Sequence, residues 1–252
     1  MSDITRRTLL VGLGAGAIAV ACSDSATTPT ASTTSGTVPA TTPTTASAST
    51  ATVPAATLTT AEFDAAGSCV ALPPTTAGPF GLTEQFIRSD ITEGYPGHTL
   101  ELGIRITDLE CTPQPDTEVE IWHADATGDY SAFNDNGTGK DEAEGTTFLR
   151  GTQTTDQHGI VVFTTIAPGW YTGRAVHIHI TVRLANGPSH TGQLFFDEAF
   201  LRDTFGEPAY FDNGTADTTN DSDSLTGNLT TEMLLRPTSQ GSASRALTTL
   251  TI

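Results

Sequence analysis

The sequence predicts an all-β domain of sandwich or barrel type, with long loops, behind an export signal and a disordered linker. Three observations predict it. Apolar residues recur at every second position in several short runs, as they do on one face of a half-buried strand. Clusters of Gly, Pro, Asn and Asp separate those runs. No amphipathic helical stretch intervenes, which argues against a parallel α/β sheet.

The first residues are not part of that domain. Arg6 and Arg7 precede an apolar run from Leu9 to Ala21, too short to span a bilayer as a helix. "TRRTLL" resembles a twin-arginine export signal, and "AVAC" resembles a lipobox that would lipidate Cys22, with Ala19 in place of the usual Leu. "GLGAG" follows no strand and is read as signal rather than nucleotide loop. Residues 1–22 are therefore expected to be signal. Residues 23–60 are nearly all Thr, Ser, Ala and Pro, with Asp24 their only charge. Such a segment cannot bury enough apolar surface to offset its chain entropy, and it reads as a disordered tether. The globular domain is then about 61–252.

"TLELGIRITDL" places Leu100, Leu102, Ile104 and Ile106 on one strand face. "TEVEIWHA" places Val119, Ile121 and His123 opposite Glu120 and Trp122. "IVVFTTIAP", "RAVHIHITVRL" and "TGQLFFD" follow, separated by the turns "CTPQPD", "NDNGTG", "TDQHG", "APGW" and "ANGPS". After the polar stretch "YFDNGTADTTNDSDSLTGN", two further strands are expected at "TEMLLRP" and "RALTTLTI". There is no internal repeat. The "NGT" and "NLT" sequons carry little weight behind a twin-arginine signal.

The formal net charge is −18; without residues 1–21 it becomes −19, from 9 basic and 28 acidic residues. That balance excludes nucleic acid and electrostatic attachment to anionic lipid, leaving a lipid anchor as the route to a membrane. With Cys22 assigned to lipid, Cys69 and Cys111 remain, and an exported chain can join them as a disulfide across about 40 residues.

"RAVHIHITVRL" also carries the first chemical signal. Val176, Ile178, Ile180 and Val182 share one face, and His177, His179, Thr181 and Arg183 share the other. That second face is either simply wet or a pair of metal ligands, and two imidazoles alone make a poor metal site. Two tyrosines stand at nearby turns: Tyr130, eight residues after Trp122, and Tyr171, six before His177.

Taken together, "VEIWHADATGDYS", "FLRGTQTTD", "APGWYTGRAVHIHITV" and "TGQLFF" resemble the intradiol ring-cleavage dioxygenases, over about Cys69 to Phe196. One departure is "TTAGPF" at Thr75 to Phe80, where relatives often read Thr-Glu-Gly-Pro; it bears on the entrance or on oligomer contacts more than on the metal. The resemblance implies a β-sandwich and a ferric ion, Fe(3+), bound by Tyr130, Tyr171, His177 and His179. Phenolate is a hard anionic donor that favours the ferric state, and imidazole completes the set. It implies a catechol-type substrate and O2, with the ring opened between the two hydroxyl-bearing carbons. Tyr171 corresponds to the tyrosinate that leaves when substrate binds, and takes up a substrate proton. Arg174 corresponds to the arginine that stabilises charge on the substrate, and Gln193 to a polar residue beside it. Family members commonly form oligomers, so a homo-oligomer is among the expected states. His98, His123, His158 and His190 match no ligand position and read as surface or packing residues.

Two other readings compete. A cupin-type metal site would place a Glu four or five residues after the second His, where Arg183 and Leu184 stand. A lipid-anchored, non-catalytic β-sandwich binding module would carry only some of the ligands, and here all four types are present.

Overall fold

The computed structural model describes residues 58–67, 69–133, 145–185, 187–227 and 229–252. The export signal, Cys22, the linker up to residue 57, the "NDNGTG" turn and Asn228 of the "NLT" sequon lie outside the described residues. Among the described residues no helix is long and apolar enough to cross a membrane.

Two sheets form a sandwich, as expected. The first contains β1 (Val70–Ala71), β2 (Thr99–Thr107), β5 (Ile160–Ile166) and β9 (Ala243–Thr251), in the order β1-β9-β2-β5, with β8 (Thr238–Gln240) also paired to β9. The second contains β3 (Glu118–Trp122), β4 (Arg150–Thr154), β6 (His177–Arg183) and β7 (Ser189–Phe195), in the order β4-β3-β6-β7. β9 lies parallel to both β1 and β2; the other strand pairs within the sheets are antiparallel. The alternating residues do what their spacing predicts. Leu100, Leu102, Ile104 and Ile106 meet Val119, Ile121, Ile178, Ile180 and Val182 in one fully buried core between the sheets. Burying such side chains supplies the main driving force for the fold, at about 25 cal/mol per Å² of apolar surface.

The segment from Phe86 to Ile91 closes one side of the sandwich. It exchanges backbone hydrogen bonds with Thr152 of β4 and with Thr164 of β5, so it covers an edge of each sheet. The remaining elements depart from the alternation. The strand β4, "RGTQT", is polar and contains glycine, so alternation does not reveal it. Helix α1 (Thr60–Ala66) starts with a capping box between Thr59 and Glu62, and Phe63 on it packs with Leu58 and Ile160. Leu58 and Phe63 are thus packed onto β5 of the first sheet. Helix α2 (Glu198–Thr204) is capped by Asp197, whose side chain accepts from Ala199 N.

The expected strand "TEMLLRP" is a correction. It forms a short 3-10 turn at Thr231–Met233, and then only Leu235 makes a bridge, to Phe196. The reason is the lack of a neighbour: Leu235 alone is buried, Pro237 has no N–H to extend a ladder, and Met233 N turns back to Thr230 O. "RALTTLTI" does form a strand, at the centre of the first sheet.

Cys69 and Cys111 form the expected disulfide, with Cα atoms 6.1 Å apart. It ties the residue before β1 to the turn between β2 and β3. Because it closes a loop of 42 residues, its removal as Cys69→Ala/Cys111→Ala is expected to lower unfolding stability by about 2–4 kcal/mol, chiefly by freeing the unfolded chain. Denaturant titrations of both proteins, and of the parent under reductant, measure this.

Candidate functional site

The outer face of the second sheet carries the site. Cross-strand partners place Arg150, Trp122, His179 and Gln193 in one row, on β4, β3, β6 and β7. Side chains directly opposite on antiparallel strands share a face, so the row converges by register alone. His177 stands two residues along β6, on the same face. Both histidines are buried, at 2% and 1% exposure, so the polar face is not a wet one.

Their Nε2 atoms lie 3.0 Å apart. His177 Nδ1 donates to the Ala175 carbonyl at 2.6 Å, which leaves a lone pair at its Nε2. The His179 ring stacks on Trp122 with centroids 4.8 Å apart and an interplanar angle of 3°. The Tyr171 hydroxyl is 3.4 Å from His177 Nε2. The Tyr130 ring stands edge-on to Tyr171 with centroids 5.7 Å apart, and edge-on to His179 at 6.0 Å. Thus all four predicted ligand residues come together.

Burial is the largest influence on each of them. It holds His177 down to about 3 and His179 well below the usual histidine range, with Arg174 adding to both. It pushes the Tyr130 phenol well above its usual value and raises Tyr171 too. The four groups are therefore neutral at neutral pH.

Two turns deliver the tyrosines, and they interlock. Asp125 Oδ1 accepts from Thr127 N, Thr127 Oγ1 and Asp129 N, at 2.8, 2.9 and 3.0 Å. The Asp125 carbonyl accepts from Gly128 N within its own turn and from Gly169 N of the Tyr171 turn. At this crossing the backbones touch. A Cβ on Gly128, whose φ is +92°, would lie 2.2 Å from Trp170 O, and one on Gly169 would lie 2.3 Å from Ala126 O. Beyond Tyr130, Arg150 donates to both Ser131 Oγ and Ser131 O at 2.8 Å. Burial lowers Arg150 to about 10.

Arg174 and Gln193 also reach the site. Arg174 donates through NH2 to Gln193 Oε1 at 2.6 Å, and its NH1 lies 3.5 Å from the Tyr171 hydroxyl. Gln193 Nε2 donates to Thr76 O at 3.3 Å and lies 3.5 Å from His179 Nδ1. The departing segment Thr75–Phe80 roofs the site directly. A Cβ on Gly78 would touch His179 at 3.4 Å, and Phe80 stacks on Tyr130 at 4.4 Å and stands edge-on to Tyr171.

Several participants escaped the sequence reading. Asp125 left one signal, the Asp-x-Thr spacing of an Asx turn. Asp223, in the polar tail loop, left none; its carboxylate is 2.8 Å from Arg174 Nε. His123 is a packing residue, as expected. It is buried between the sheets, donates to the Ala124 carbonyl and accepts from Thr165 Oγ1. Among the described residues no three His, Cys, Asp or Glu side chains gather at one point, so the donor set here depends on the tyrosines.

Fold and site define a β-sandwich with a buried His2Tyr2 cluster on the outer face of one sheet, and the comparisons give that class its family. A family model for dioxygenases matches residues 81–205. The intradiol ring-cleavage dioxygenase of Tetranychus urticae superposes with a TM-score of 0.66 at 30% identity, over 73% of this chain and 95% of that one. The chain belongs to the intradiol ring-cleavage dioxygenase family. The catechol 1,2-dioxygenase of Acinetobacter baylyi is 37% identical over 106 residues, which cover 40% of this chain and 32% of that protein. This chain therefore spans about a third of that relative's length. The 3-chlorocatechol 1,2-dioxygenase of Rhodococcus opacus shares the fold, with a TM-score of 0.52 at 23% identity over 76% of each chain.

Asp125 supplies a test of how the turns are held. Burial raises its carboxyl above the usual carboxylate range, so the site does not favour its charge. All three of its side-chain acceptor contacts end on Oδ1, which an amide reproduces. Asp125→Ala is expected to cost about 1–3 kcal/mol by orphaning those donors, and Asp125→Asn less than about 1 kcal/mol. Equilibrium unfolding of the two variants reads the difference.

Proposed function

We propose that the protein is a non-haem Fe(3+) intradiol dioxygenase that opens a catechol ring with O2 between the two hydroxyl-bearing carbons, giving a cis,cis-muconate-type diacid. The observation that carries this reading is the convergence of two imidazole nitrogens 3.0 Å apart with a phenol oxygen 3.4 Å from one of them and a second phenol ring 5.7 Å from the first.

The donor set fits a hard trivalent cation. His177 Nε2 presents a fixed lone pair, because its other nitrogen is committed to Ala175 O. Tyr130 and Tyr171 are pushed towards their neutral forms by burial, and a bound cation would reverse that preference and hold them as phenolates. His177, His179, Tyr130 and Tyr171 would hold the ion. When bound, ferric iron accepts electron density from a catecholate and so makes the ring reactive towards O2.

The chain's own residues do the rest. Tyr171 is half-buried, whereas Tyr130 is 1% exposed and fixed beside Ser131. Tyr171 is thus the more accessible phenol, placed to take a proton from a substrate hydroxyl at its own oxygen. Arg174 NH1 beside it places a permanent positive charge where negative charge develops on the ring. Phe80 and Phe133 wall the site with apolar surface, which excludes water and suits a planar aromatic substrate. Both oxygen atoms enter the product and the substrate supplies all electrons, so no reductant is consumed.

The protein as proposed works outside the cytoplasm, on a lipid anchor at Cys22. A single acyl chain anchors only marginally, so further chains at that terminus are part of the proposal. Mass spectrometry of the mature protein is expected to find an acylated Cys22 as its first residue; an unmodified or different terminus overturns the anchor.

Iron-loaded protein is expected to be red to brown from tyrosinate-to-ferric charge transfer. Catechol without air should shift that band, and air should then yield the diacid. Tyr130→Phe or His177→Ala should remove the colour and the turnover. Arg174→Ala should keep the colour and slow turnover by about 10²–10³-fold. A ferric-reconstituted protein that stays colourless and inert to catechols leaves the binding-module reading in place.

A further inference from the structure

Arg174 does not stand in the site on its own. Asp223, from the loop between α2 and β8, reaches it from behind, and its side chain is fully buried. Asp223 Oδ2 accepts from Arg174 Nε at 2.8 Å and from Ala175 N at 2.9 Å, and Oδ1 accepts from Leu225 N at 2.8 Å. A buried carboxylate is retained at low cost only when such donors satisfy its lone pairs. The loop that carries it is itself held. Asp223 N donates to Thr219 O, Asn220 Nδ2 donates to Phe196 O at 2.8 Å, and Asn220 N donates to Glu198 Oε1 at 2.8 Å. The carboxylate is thus fixed relative to the end of β7, which also carries Gln193.

Two edges of the guanidinium are occupied, Nε by Asp223 and NH2 by Gln193. Only NH1 faces the Tyr171 hydroxyl. Asp223 and Gln193 thus decide which donor of Arg174 is left to face the site.

Resting on the dioxygenase reading above, we propose that Asp223 is the positioning residue that holds Arg174 by Nε and so aims its NH1 at the Tyr171 hydroxyl and the reacting oxygen. The role is geometric, and Asp223 touches no substrate.

The test uses iron-loaded full-length protein with two substrates, catechol and 3,4-dihydroxybenzoate, and three forms: the parent, Asp223→Asn and Asp223→Glu. The tyrosinate band reports that each form holds its metal. On whichever substrate the parent turns over faster, Asp223→Asn should keep the band and lose roughly 10- to 100-fold in kcat with KM changed far less. Asp223→Glu displaces the carboxylate and should lose kcat in the same way. Asp223→Asn with an intact band and an unchanged kcat overturns the proposal. A parent inert to both substrates overturns the dioxygenase reading itself, which separates the two failures.

Discussion

The register of β6 against its two neighbours is the constraint on which the site depends. His179 is opposite Trp122 on one side and Gln193 on the other. A slip of one residue would turn both histidines into the hydrophobic core and Ile178 and Ile180 out onto the site face. The core prevents it, because Ile178, Ile180 and Val182 are buried against the facing sheet. The packing that stabilises the sandwich therefore also aims the imidazoles. Arg150 shares the same row through β4, so the group that clamps Ser131 is positioned by the ladder that positions His179.

Strands alone leave this face open to water. Loops close it, and they are held by backbone contact and not by apolar packing alone. The Tyr130 and Tyr171 turns cross at Gly128 and Gly169, where any side chain would collide with a carbonyl. Desolvation follows, and desolvation sets the electrostatics: imidazoles are kept neutral and phenols protonated until a cation is present. A rigid, dry, neutral donor set with fixed dipoles is what electrostatic preorganisation requires.

Much of this was legible in the chain. Alternation disclosed β2, β3, β5, β6, β7 and the central β9, because each has one face in the core. It missed β4, whose Gly151 and Gln153 carry no such pattern, and it over-read "TEMLLRP", whose apolar residues have no neighbouring strand to meet. The helices α1 and α2, each seven residues long, are too short for a helical period to stand out. The four donors were legible as a spacing that resembles a family. Asp223 was not, since a carboxylate in a run of Asp, Asn, Ser and Thr looks like every other; only the fold distinguishes the one that is buried.

The place of β9 carries a consequence for biosynthesis. The central strand of the first sheet has a partner, β2, that is distant in sequence: Thr107 Oγ1 bonds Thr251 Oγ1 across 144 residues. Until that segment leaves the ribosome, β2 has an open edge and the core lacks one wall. Non-local pairing of this kind slows folding, because loop closure must precede the contacts that reward it. The domain thus reaches its native state only once β9 has been made, and any chaperone that guards it must shield the exposed flank of β2 until that strand arrives.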